Sequence, residues 1–163
     1  DALTPHDLQA MVDHMGEYAP RPCFLPFLAE LERAGVPFVL VSGGLVPLVE
    51  EVLGPHRHRL DQLIAAEVLP HPGGGLRFAS AFANGQELVA KAEVVKRYGR
   101  GRSVVIGDSI TDLGMAEVAD LVFAREPLSG WLEQRGIAFH PWDSFADVEV
   151  VLRQQGLLPG AAA

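Results

Sequence analysis

A chain of 163 residues, 48% of them apolar, has material for one well-packed domain and little more. Its formal charge of −8 repels polyanions and no run of Lys or Arg offsets it, which argues against nucleic acid or an anionic membrane as partner. One cysteine, Cys23, excludes an internal disulfide and a thiolate metal cluster, no apolar run approaches the roughly 20 residues that cross a bilayer, and Asp1 to Pro5 lack the basic and apolar regions of a signal peptide; the cytoplasm is the expected setting.

In chain order, Thr4-Pro5 opens a helix over His6 to His14, with Leu8, Met11, Val12 and Met15 at helical spacing. After the Pro20-Arg21-Pro22 break, Phe24, Leu25, Phe27, Leu28 and Leu31 mark a second helix that stops at Gly35. Val36 to Val41 is a continuous apolar run suited to a strand covered on both faces. Ser42-Gly43-Gly44 then turns the chain into a helix from Leu45 to Leu53, ended by Gly54-Pro55. Leu63 to Leu69 and Leu76 to Ala83, separated by Pro72-Gly73-Gly74-Gly75, read as two short strands of a hairpin-like excursion.

Helical spacing returns from Glu87 to Tyr98, stopped by Gly99. Ser103 to Ile106 is a buried strand, Gly107 to Thr111 a loop, Asp112 to Ala119 a helix and Leu121 to Ala124 another strand. Leu128 to Arg135 reads as helix, Ala138 to His140 as a short edge strand, and Phe145 to Gln155 as a closing helix. Strands alternating with helices predict an α/β fold built on a parallel sheet. The organisation expected is an entry helix in residues 1–20, a core over 21–156 and a loose tail over 157–163.

Two loops carry chemistry, because ligands of open parallel sheets bind beyond the C-terminal ends of the strands. At Ser42-Gly43-Gly44, glycine lets backbone N–H groups approach an anion and the serine hydroxyl adds a donor, the outline of a phosphate cradle; an ordinary strand-to-helix turn explains the same residues. At Gly107-Asp108-Ser109-Ile110-Thr111-Asp112, two carboxylates four residues apart suit Mg²⁺, which takes one or two carboxylates with water and substrate phosphate. Helix capping is the alternative, since Ser109 followed by Asp112 has the form of a capping box. Capping accounts for Asp112 better than for Asp108, which stands at the mouth of the sheet. Lys91 could neutralise a transferring phosphoryl group, but by composition Lys96 is an equal candidate. The six histidines show no zinc spacing and read as surface or packing residues.

Taken together and in order, Val39 to Gly44, Lys91 and Val105 to Asp112 resemble motifs II, III and IV of the haloacid dehalogenase superfamily. The resemblance runs from about Phe24 to Leu152 and is strongest to its phosphoserine-phosphatase-like branch, especially the methionine-salvage phosphatases of 2-hydroxy-3-keto-5-methylthiopentenyl-1-phosphate. It implies a Rossmann-like three-layer core and a small phosphorylated metabolite as substrate. Ser42 with the Gly43 and Gly44 backbone would hold the phosphoryl group, Lys91 would balance its charge, and Asp108 would bind Mg²⁺. Asp112 would join the metal shell or orient Lys91. The superfamily's first motif, Asp-x-Asp-x-Thr after an apolar strand, supplies the nucleophile and the general acid/base, and it is missing here; Asp1-Ala2-Leu3-Thr4 has no strand before it and Leu3 in place of the second aspartate. The expectation is therefore an N-terminally shortened chain, inactive alone, lacking the first, central strand and most of a helical cap of which residues 1–20 are the end. A non-catalytic phosphate-binding or interaction module is the alternative, with phosphoserine the alternative substrate within the enzyme reading.

Overall fold

Thr4 starts the first helix, α1 (Pro5–Met15), through a reciprocal cap: its Oγ1 accepts from Asp7 N at 3.2 Å, and Asp7 Oδ2 accepts from Thr4 N at 3.0 Å. The structure, a computed structural model, describes residues 3–160. Asp1, Ala2 and Ala161 to Ala163 lie outside the described residues; in the expected tail, Leu158 is buried. The chain divides into two compact units, one holding the residues up to Pro20 with Val39–Ala90, the other Arg21–Phe38 with the residues from Lys91 onward.

In the first unit, β1 (Val39–Leu45) pairs in parallel with β2 (Gln62–Pro70), which returns antiparallel as β3 (Leu76–Ala79), so the hairpin-like excursion is a true β-hairpin. The second helix of this unit, α3 (Val46–Leu53), packs on β2 and against α1. The strand differs from the sequence expectation. It begins three residues later, at Val39, and runs through Ser42-Gly43-Gly44 instead of turning there. Val41 pairs with Ile64 and Leu45 with Ala66, so β1 advances four residues while β2 advances two. The surplus is a bulge at Ser42, Gly43 and Gly44, and pairing with a strand some 20 residues on has overridden the local breaker signal of two glycines.

The second unit opens with α2 (Phe24–Ala34), ended by Gly35 at φ 67°, the left-handed conformation that glycine takes without a Cβ clash. It continues through α4 (Lys91–Tyr98), β4 (Val104–Gly107), α5 (Leu113–Val118), β5 (Leu121–Ala124), α6 (Leu128–Gln134), β6 (His140–Pro141) and α7 (Phe145–Gln154). The three strands are parallel in the order β4-β5-β6. Alternation along the strands sorts the core into two layers: Leu121 and Phe123 join Phe27 and Leu31 of α2 and Val148 and Leu152 of α7, whereas Val105, Val122 and Ala124 meet Met115 and Ala116 of α5 and Leu128 and Leu132 of α6. Helix, sheet and helix thus form the three-layer α/β arrangement. The helix expected from Glu87 starts at Lys91, because Asn84 Oδ1 accepts from Gln86 N at 3.1 Å and Glu87 N at 2.7 Å and holds that stretch as a side-chain-capped turn.

Among the described residues no ladder joins β1 to β4, and each is the end strand of its own sheet.

One local strain stands at the start of α2. Cys23, exposed, holds φ 65° as its N-cap residue and offers no side-chain cap. A left-handed backbone costs a Cβ-bearing residue about 1–2 kcal/mol, partly offset in glycine by its freer unfolded chain. Cys23→Gly is expected to stabilise by about 0.5–1 kcal/mol, read as a rise of about 1–4 °C in thermal unfolding.

Candidate active site

The loop after β4 is organised by one carboxylate. Asp112 is 5% exposed, and its Oδ2 accepts from Asp108 N at 2.9 Å, Ser109 N at 3.0 Å and Ser109 Oγ at 3.3 Å. Its Oδ1 receives the Lys91 ammonium at 2.5 Å, and Lys91 Nζ also donates to Thr111 Oγ1 at 3.1 Å. Lys91, on the first turn of α4, is 7% exposed, which a lysine sustains only when paired. Lys96 instead lies exposed and pairs with Glu93 at 2.7 Å, so burial selects Lys91 of the two. The loop's tightness depends on Gly107: a Cβ there would stand 2.8 Å from Asp112 Cβ and Oδ2.

Burial alone would push the Asp112 carboxyl up, but the Lys91 ammonium and the Ser109 and Asp108 N–H groups outweigh it and hold the pKa below the ordinary carboxylate value. The capping-box reading of Ser109 and Asp112 is thus realised, and both Asp112 oxygens are engaged.

Asp108 is placed differently. It stands just past the end of β4 with its side chain 35% exposed, and its Oδ2 accepts from Arg21 Nη2 at 2.8 Å. Arg125, just past the end of β5, brings its Nε to 3.9 Å of the same oxygen. Both guanidiniums lie over the ring of buried Trp142, at 6.0 Å for Arg21 and 5.2 Å for Arg125, and Trp142 Nε1 donates to Gly107 O at 3.0 Å. Oδ1 of Asp108 has no hydrogen-bond partner among the described residues and faces partial exposure, which suits one ligand atom for a hard cation. Among the described residues no three His, Cys, Asp or Glu side chains gather as a metal cage, so the fit to Mg²⁺ is that of a single carboxylate completed by other oxygens.

Ser42, Gly43 and Gly44 belong to the first unit. Ser42 is half-buried and its Oγ accepts from Gly44 N at 3.0 Å, while Gly43 and Gly44 are exposed on the bulge. Neither glycine has a positive φ; a Cβ on Gly43 would meet nothing within 4 Å. Their use is the bare, outward backbone of a bulge, not a tight turn. The structure therefore gathers Lys91, Asp108 and Asp112 on one loop framework and carries Ser42 to Gly44 on a separate one. Arg21, Arg125 and Trp142 were missed as site residues. A basic residue directly after an apolar strand was the readable signal for Arg125; for Arg21 there was only its place between two prolines.

Residues 2–117 match the haloacid dehalogenase-like hydrolase family. The chain belongs to that family. A 2-hydroxy-3-keto-5-methylthiopentenyl-1-phosphate phosphatase from Microcystis aeruginosa is 38% identical over 134 residues, 81% of this chain and 63% of that protein. An Exiguobacterium sibiricum protein of the same name is 31% identical over 159 residues, 90% of this chain and 70% of its own length. The chain thus spans under two thirds of the first of these relatives. Among solved structures, a phosphoserine phosphatase from T. onnurineus aligns with TM-score 0.59 at 24% identity, over 87% of this chain and 63% of that one. A substrate-bound phosphoserine phosphatase aligns with the same score at 18% identity, over 94% and 71%. At such identities these two structures speak for the fold alone.

Two substitutions test the loop. Asp112→Asn leaves the Lys91 charge buried without its counter-ion, with an expected loss of about 3–5 kcal/mol in urea unfolding at pH 7. Because the folded pKa is depressed, this contribution is complete above the unfolded carboxyl value near about 3.9 and drains as pH falls through the folded value. The deficit of the variant should accordingly be constant from neutral pH to about pH 5 and narrow below it. Gly107→Ala forces the Asp112 side chain aside and should cost about 1–3 kcal/mol in the same assay.

Proposed function

We propose that the chain is the phosphate- and cation-handling part of a Mg²⁺-dependent phosphomonoester hydrolase that works through an aspartyl-phosphate, the accepting aspartate lying outside these 163 residues. The buried Lys91–Asp112 pair carries the reading: a lysine withdrawn from water and held by a carboxylate at the mouth of a parallel sheet is a fixed positive charge of the kind that phosphoryl transfer uses. Lys91 then balances the charge of the phosphoryl oxygens, and Asp112 fixes the direction of its ammonium. Within the first unit, Ser42 Oγ and the Gly43 amide are the neutral donors this reading assigns to phosphate, with the Gly44 N–H engaged by Ser42 Oγ at 3.0 Å. Asp108 holds the cation through its open oxygen; when bound, Mg²⁺ neutralises phosphoryl charge as a Lewis acid.

The substrate class is a small phosphorylated metabolite, and the 38% identity to the Microcystis protein favours 2-hydroxy-3-keto-5-methylthiopentenyl-1-phosphate over phosphoserine. Under this proposal residues 1–20 close a helical cap, the core follows from residue 21, and the setting is the cytoplasm, where Cys23 stays a thiol. Among the described residues no helix is long and apolar enough to cross a membrane.

The test is hydrolysis of p-nitrophenyl phosphate, then of the two candidate substrates, by this chain and by a version extended upstream, with and without Mg²⁺. Activity confined to the extended protein, and cut by orders of magnitude in its Asp108→Asn variant, is the expected result. Both proteins folded and both inactive would replace the enzyme with a phosphate-binding module.

A further inference from the structure

Asp108 has two claims on it. If its carboxylate takes a divalent cation, as proposed above and on which this inference rests, the cation must share that carboxylate with the Arg21 guanidinium at 2.8 Å from Oδ2. We infer that Arg21 is a built-in competitor at this position, a guanidinium that holds Asp108 in place and moves off when a divalent cation takes the carboxylate.

The two arginines beside Asp108 are held unequally, and the difference singles out Arg21. Arg125 is fixed: its Nη1 donates to Asp143 O at 3.4 Å, its ring contact with Trp142 is the closer one, and its Nε stands 3.9 Å from Asp108 Oδ2, outside hydrogen-bond range. Arg21 has Asp108 as its one hydrogen-bond acceptor among the described residues and lies at the outer limit of stacking on Trp142. Its side chain is 49% exposed, so water can replace the carboxylate as its partner. Pro20 and Pro22 fix φ on either side, which leaves rotation of the side chain as the easy motion.

Charge supplies the reason to move. A divalent cation on Asp108 with Arg21 still in place beside Arg125 would set four positive charges within a few ångströms of one negative charge. At a partly solvated rim that repulsion is screened but not abolished, and it weakens cation binding by about five- to ten-fold. Until the cation arrives, the same contact keeps Asp108 neutralised and aimed, with Oδ1 left open.

A titration with Mn²⁺, a paramagnetic stand-in for Mg²⁺, followed by water-proton relaxation on the full 163-residue chain, tests this without any catalytic readout. Arg21→Gln should tighten Mn²⁺ binding by about five- to ten-fold at low ionic strength, and the gap should close as salt is added. Arg21→Lys, which keeps the charge but loses the fork, should fall between, and Arg125→Gln should change binding less than Arg21→Gln. Equal or weaker binding by folded Arg21→Gln overturns the inference. Asp108→Asn separates the two ideas: if it binds Mn²⁺ as the parent does, the cation assignment of Asp108 falls, whereas loss of binding there with no gain in Arg21→Gln removes the competition alone.

Discussion

A lysine ammonium removed from water must find its counter-charge inside the protein, and much of the second unit is arranged around that requirement. Lys91 meets it with Asp112, which lies 21 residues later and must therefore be brought back by the strand and loop between them. The same carboxylate closes the turn after β4 by accepting from Asp108 and Ser109 N–H groups, so helix capping and charge pairing are one structure. Gly107 follows from it: the carboxylate sits so close to the strand end that no side chain fits there.

Around this pair the parallel sheet does the placing. β4 and β5 end side by side, Gly107 opposite Ala124, and the next residue of each strand is a charged one, Asp108 and Arg125. Trp142, on the segment after β6, then anchors to Gly107 O and presents its ring to the two arginines. An acidic residue that would otherwise stand alone at a sheet mouth is thereby given a defined orientation by groups from three parts of the chain.

What the sequence made readable was whatever depends on local pattern. Leu121 to Ala124 is strand over the expected residues because a short apolar run is bounded on both sides, and Gly35 ends its helix in the left-handed conformation that glycine adopts at little cost. Ser42-Gly43-Gly44 was found as a candidate site, but its shape was not, since a bulge is defined by the register of a partner strand that no local window contains. Lys91 and Lys96 are chemically alike in sequence, and only burial tells them apart. Arg21 was out of reach altogether: it meets a residue 87 positions away, and nothing in its neighbours encodes that distance.

Two of the four end strands, β1 and β4, have a colloidal consequence. β1 and β4 each carry backbone hydrogen bonds to a strand on one side only among the described residues, and an unfilled strand edge is a template for another chain. What opposes that pairing between copies is long-range repulsion from the net charge of −8, which reaches about 10 Å at moderate ionic strength and far less in concentrated salt.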